Sequence, residues 1–311
     1  MTESRVRAVL LVLFASLLFG TTGTAQALGP ADVDVVSVGA ARIVFGGGVL
    51  ALIAGALRWR GAAPSRIELP LAKTRSVLLV VIGALGVIAY QPAFFLGTST
   101  NGVAVGTLVA LGSAPVMTGA LAWILERRFP GVRWAVATVI AAVGVVMLGA
   151  STGGGEVGNS SAEGMDPVGL AGSLGAGLSY AVYTLASKRL LQAGWVPAST
   201  MGAVFGGAAI LGVVVLLTTD NAWLATPAGV VMALWLGLAT VTVAYLLFAR
   251  GLQALSAPIV ATVTLAEPLT ASILGVVVLQ EQLSPVSWLG VAVIALGILV
   301  LIVRPQRTLP G

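Results

Sequence analysis

Residues 266–285 read AEPLTASILGVVVLQEQLSP. Glu267 and Pro268 stand side by side in a run of apolar and small residues. Both are costly there. A charged side chain at the centre of a membrane-spanning helix costs roughly 3 kcal/mol on insertion scales. Proline lacks the N–H that would serve the carbonyl four residues back, here that of Thr264, and its ring crowds that carbonyl. The pair is tolerable if the run borders a polar cavity, or if the carboxyl, kept protonated, satisfies the freed backbone. An earlier stretch, APVMTGALAWILERRFP at 114–130, repeats the pattern with Pro115 and ends in the same way, in charge followed by proline.

The composition fixes the class. Hydrophobic residues make up 58% of the 311-residue chain and charged residues 9%, where soluble chains carry about 25% charged. Cys and His are both absent. Their absence excludes disulfides, Cys/His metal sites, thiol nucleophiles and a histidine base. A net charge of +5 would suit nucleic acid, but the bases sort along the chain in a way that marks one side of a membrane.

Crossing a core of about 30 Å takes roughly 20 helical residues. Apolar spans of that order run over about 8–28, 33–57, 76–96, 103–124, 132–150, 167–187, 198–217, 227–249, 255–279 and 285–303. Turn and charge signals separate them, among them RWRGAAPSR, TSTNG, ERRFPGVR and QEQLSP. The runs are too long and too lacking in alternation for strands. With the N-terminus inside, the inner segments receive Arg5, Arg7, Arg58, Arg60, Arg66, Lys73, Arg75, Arg127, Arg128, Arg133, Lys188, Arg189, Arg250, Arg304 and Arg307. The outer loops receive no base, and Arg42 remains, well inside a span. That asymmetry predicts both termini in the cytoplasm; the expected membrane is a bacterial inner membrane. The first span with AQA at 25–27 imitates a signal peptide, but it is long for one, and its loss would leave nine spans.

The two halves resemble one another. VFGG occurs at 44–47 and at 204–207, and AY at 89–90 and 244–245. Gly97 and Gly251 follow at similar distances, and Pro115 stands as far from Gly144 as Pro268 from Gly297. Five spans per half place the second half upside down, the inverted-topology repeat of secondary transporters. The expected organisation is a first repeat over 1–150, an external Gly/Ser/acid-rich linker over 151–166, a second repeat over 167–303 and a cytoplasmic tail over 304–311. The linker holds a literal G-x-G-x-x-G from Gly153 to Gly158; with no strand before it, it reads as linker and not as a nucleotide site.

LLFGTTG at 17–23, GAGLSYAVYTLASKRL at 175–190 and AEPLTASILGVVVLQEQLSP at 266–285 make the chain resemble the drug/metabolite transporter superfamily, specifically its EamA family. The resemblance covers about residues 8–303 and departs at Phe19 and Tyr180, where the family usually has Trp, and at Ala114, where an acid is common. It implies a ten-helix bundle around a central cavity lined mainly by spans 1, 3, 4, 6, 8 and 9. It also implies export of amino acids, related metabolites or drugs.

The substrate-binding candidates are Phe19, Tyr90, Tyr180, Tyr183, Trp235, Tyr245 and Glu267. All four tyrosines lie within spans, and a phenol offers an apolar face with one hydrogen-bonding group. Trp235, Thr242 and Tyr245 are expected on one face of span 8. Glu267 is the only acid well inside a span and the candidate for a proton-linked step. Arg42 is expected towards the outer side, snorkelling away from Glu267. Pro115 is expected to break span 4 as Pro268 breaks span 9. Gln91, Asn101, Gln26 and the threonines of span 1 would line an exit path or bond between helices.

These readings give an all-α polytopic membrane protein that transports small amphipathic solutes by alternating access, driven by a substrate or proton gradient. No cofactor, metal or nucleic acid is called for. The partners are a small-molecule substrate and membrane lipid, with a homodimer left open. The alternatives are a nucleotide-sugar-type carrier and a non-transporting scaffold or sensor. An intramembrane enzyme lacks a pair of buried acids or a metal cluster, and no Walker motif is present for direct ATP drive.

Overall fold

The computed structural model describes residues 3–60, 70–152 and 166–303. Most of the linker, the tail from Arg304, and Arg66, Glu156 and Glu163 lie outside these described residues. Among the described residues, ten helices are long and apolar enough to cross a membrane. They are α1 (Glu3–Ala27), α2 (Val35–Trp59), α3 (Pro70–Asn101), α4 (Val103–Glu126), α5 (Val132–Thr152), α6 (Pro167–Gln192) and α7 (Pro197–Leu217), followed by α8 (Pro227–Ala254), α9 (Ala257–Val277) and α10 (Pro285–Ile302).

Local chemistry sets the ends. Asp34 and Asp166 cap α2 and α6 by accepting from Val36 and Val168 N–H, and Thr226 and Ser284 cap α8 and α10. Proline opens α6, α7, α8, α9 and α10, where its missing N–H is no loss. The TSTNG stretch is no loop: α3 stays helical to Asn101, and Gly102 alone, at φ 81°, makes the turn into α4.

The principal packing pairs are α3 with α6, α2 with α7, α5 with α10, α4 with α6, and α1 with both α8 and α9. Small residues let these helices approach closely. A Cβ on Gly144 of α5 would stand 2.6 Å from the Ile294 nitrogen of α10. One on Gly297 of α10 would stand 2.7 Å from the Ala141 nitrogen of α5.

Hydrogen bonds tie the ends of the bundle. At one end, Lys188 Nζ donates to the carbonyls of Leu252 and Leu255, both at 2.8 Å. Near it, Trp134 Nε1 donates to the Pro258 carbonyl at 3.1 Å and Arg133 Nε to that of Val300 at 2.7 Å. At the other end, Asn101 exchanges two bonds with the Asp166 backbone, and Trp223 Nε1 donates to Ser37 Oγ at 2.8 Å.

Two helices depart from α geometry. α9 is broken at Thr264–Leu265, between Ala257–Val263 and Ala266–Val277. α8 carries a π-helical stretch, Trp235–Val243, between two α-helical segments. α4, by contrast, runs unbroken through Pro115. The expected matching break in α4 is therefore absent, and Pro115 is absorbed within a continuous helix.

A candidate solute cavity between the two halves

The broken α9 and the aromatic residues converge on one cavity. It holds about 840 Å³ of empty space, counting its opening. Phe19, Tyr90, Tyr180, Tyr183, Tyr245 and Glu267 line it, together with Arg42, Gln91, Phe205 and Thr264. Lining residues come from α1, α2, α3, α4, α6, α7, α8 and α9, so α2 and α7 join the helices expected there.

An aromatic cluster forms one wall. The Phe205 and Tyr245 ring centroids are 4.1 Å apart, Phe19 and Tyr245 5.0 Å, and Tyr180 and Tyr183 5.2 Å. The tilted and edge-on pairings suit the ring quadrupoles. The Tyr183 and Tyr245 hydroxyls are hydrogen-bonded at 3.0 Å. Tyr180 donates to Thr264 Oγ1 at 3.2 Å, which ties α6 to the break in α9.

Close approach explains why LLFGTTG carries a glycine after Phe19. A Cβ on Gly20 would stand 2.5 Å from Thr270 Cβ and 2.7 Å from the Glu267 carbonyl oxygen. Glycine lets α1 lie against the second half of α9 while Phe19, one residue earlier, faces the cavity.

Glu267 is half-buried and lines the cavity. The carbonyl that Pro268 deprives of its usual partner is that of Thr264. It accepts instead from the backbone N–H of Glu267, at 2.9 Å. The backbone thus repairs its own break, and the carboxyl is not needed for it.

Arg42 lies elsewhere than expected. It lines the same cavity as Glu267. Its Nη2 donates to Thr240 Oγ1 at 3.5 Å, and its Nε is buried without a protein acceptor. The outward reading fails because depth along a helix says nothing of which way the side chain turns, and α2 turns this one inward.

Trp235 is also placed differently. It is 46% exposed and outside the cavity lining, and its Nε1 donates to Thr21 Oγ1 at 2.9 Å. Thr242 faces α2, donating to the Gly46 carbonyl at 3.0 Å. The expected shared face assumed 3.6 residues per turn. A π-helical stretch turns by less at each residue, so positions seven apart no longer align.

Phe205 was not among the sequence candidates. Its signal was the VFGG repeat, which marks Phe45 and Phe205 alike. Phe205 is 1% exposed and stacked in the cluster, whereas Phe45 is 38% exposed. Of the polar residues, Gln91 reaches the cavity, while Asn101 and Thr21 bond between helices.

The chain is similar to known proteins over nearly its whole length. The model of the EamA-like transporter family matches residues 6–150 and 167–303. An uncharacterized transporter of Bacillus subtilis (strain 168), YwfM, is 39% identical over 298 residues, covering 96% of this chain and 94% of that protein. A solved crystal structure is similar with a TM-score of 0.74 at 20% identity, covering 95% of this chain and 97% of its own. That last likeness bears on the fold alone.

Proposed function

This chain belongs to the EamA-like transporter family, and from that premise we propose that it exports small amphipathic metabolites, such as amino acids or drugs. The observation that carries the proposal is the cavity itself. It sets a carboxyl and a guanidinium beside six aromatic rings, between helices of both halves. Such a lining offers an apolar solute body stacking surfaces and its polar head a charged partner.

The reading includes alternating access between two inverted repeats. It is supported by the packing pattern, which keeps its form when each helix is exchanged for the one five places away. α3 with α6 becomes α8 with α1, and α4 with α6 becomes α9 with α1. α2 with α7 and α5 with α10 map onto themselves. Phe19, Tyr90, Tyr180, Tyr183 and Tyr245 are the solute-facing walls, and Glu267 is the proton carrier or polar anchor. Trp235 drops out of the site on geometry. The membrane is the bacterial inner membrane, with both termini cytoplasmic, as the distribution of bases supports.

A nucleotide-sugar-type carrier is less well served. Among the described residues Arg42 is the single basic residue in the lining, and a diphosphate calls for more.

The test is efflux. Cells expressing the protein are loaded with amino acids and amphipathic drugs, and loss of label is compared with empty vector. Candidates are then followed in proteoliposomes with and without an imposed proton gradient. Faster efflux of at least one solute, lost in Tyr180→Ala, is the expected result. No difference across the panel, with protein present in the membrane, overturns it.

A further inference from the structure

Arg42 is poorly satisfied where it stands. A guanidinium carries five N–H donors in a planar fork and keeps its charge in any protein setting. Its acceptor is Thr240 Oγ1, a long contact at 3.5 Å. That hydroxyl is itself committed, donating to the Leu236 carbonyl at 2.6 Å. The Arg42 Nε–H is buried with no protein acceptor. The side chain nonetheless lines the cavity, in the company of Tyr90, Gln91 and Tyr245. Glu267 lines the same space and its carboxyl feels the charge of Arg42, but the hydrogen bond of Arg42 goes to Thr240. A buried charged donor without a full set of acceptors is costly, and an acceptor brought in by a solute relieves that cost.

We infer that Arg42 is the anion-recognising group of the cavity, selecting solutes whose head is a carboxylate held on its fork. Nε and Nη2 lie along one edge of the guanidinium, and that edge matches the two oxygens of one carboxylate in bidentate geometry. The aromatic cluster of Phe19, Tyr180, Phe205 and Tyr245 then takes the apolar body of the solute. Arg42 is thus the residue that determines specificity for the head group. This inference rests on the cavity being the transport site, and its test is a binding measurement that does not depend on transport.

The experiment uses purified full-length protein in detergent and three probes with one aromatic body. They are 3-phenylpropionate, 3-phenylpropan-1-ol and 2-phenylethylamine, which present an anionic, a neutral and a cationic head. A fourth, 2-phenylethylphosphonate, separates a planar carboxylate from a tetrahedral oxyanion. Affinity is read by calorimetry and by ligand-induced thermal shift. For the native protein, 3-phenylpropionate binds on the order of tenfold or more tighter than the alcohol and the amine, the gain of a charge-assisted bidentate pair. The phosphonate binds more weakly than the carboxylate. Arg42→Gln brings the ratio of carboxylate to alcohol close to one, and Arg42→Lys keeps only part of it.

Equal binding of the three heads by the native protein overturns the inference, as does a preference for the amine or no binding at all. Those results need no variant, so misfolding of Arg42→Gln does not protect the proposal. A phosphonate preference overturns the choice of carboxylate. If the carboxylate binds through Arg42 but no probe crosses a proteoliposome membrane, the anion site stands and the transport reading fails.

Discussion

The backbone N–H of Glu267 donates to the carbonyl of Thr264 at 2.9 Å. Pro268 would otherwise leave that carbonyl without its helical partner. The Glu267 carboxyl is therefore free of structural duty at the break, and its expensive position is explained by the cavity it faces. Glu267→Ala is expected to shift unfolding in detergent by about 1 kcal/mol or less, against the roughly 1–3 kcal/mol expected if the carboxyl satisfied a buried backbone group. A larger loss shows that the carboxyl holds the break. In proteoliposomes Glu267→Gln is expected to abolish the dependence of transport on an imposed proton gradient while the protein remains folded. Gradient dependence equal to the native protein's removes the proton-carrier role.

Tyr183 and Tyr245 bridge α6 and α8 through a 3.0 Å hydroxyl contact. Tyr183→Phe and Tyr245→Phe each delete one side of it. A double-mutant cycle is expected to return a coupling of about 1 kcal/mol in stability. Zero coupling shows the bond to be dispensable. Tyr180→Ala and Tyr245→Ala are expected to alter transport at near-native membrane abundance, because they reshape the lining. Trp235→Phe lies outside the cavity and is expected to leave substrate preference unchanged.

The glycines of α2 and α10 give a stability test with an internal control. A Cβ on Gly297 meets backbone atoms of α5 at 2.7 and 2.8 Å, atoms that cannot swing aside. Gly297→Ala is expected to destabilise by about 1–3 kcal/mol, the cost of overpacking. Gly48 has nothing within 4 Å of its would-be Cβ, so Gly48→Ala is expected to be neutral or slightly stabilising. Thermal unfolding of the two variants side by side measures the tightness of the α5–α10 contact, and equal stability of the two shows that it is loose.

Reporter fusions test the sidedness. Fusions near residues 65 and 190 are expected to report from the cytoplasm and one at 155 from outside. An internal signal at 155 overturns the orientation read from the bases and the inversion of the second half.

Ten helices were legible in the sequence because length and apolar content alone decide what can span a bilayer. So was the break in α9, since proline removes a donor whatever surrounds it. Proline did not decide the outcome in α4, where Pro115 is carried inside one continuous helix. The tyrosines were legible as cavity residues because all four fall in spans, and all four do line it.

What only the tertiary structure decided is which way each helix turns its side chains. A soluble helix announces its buried face by an apolar stripe. A helix in lipid is apolar towards both lipid and neighbours, so the stripe is missing and rotation is set by packing. Hence the repeated VFGG could not say that Phe205 turns inward and Phe45 outward, nor could the position of Arg42 along α2 say that it faces the cavity. The π-helical stretch of α8 shifted Trp235 off the expected face for the same reason. Helical phase is a property of hydrogen-bond pairing within the packed bundle, and spacing in the sequence carries it only where the helix keeps its regular turn.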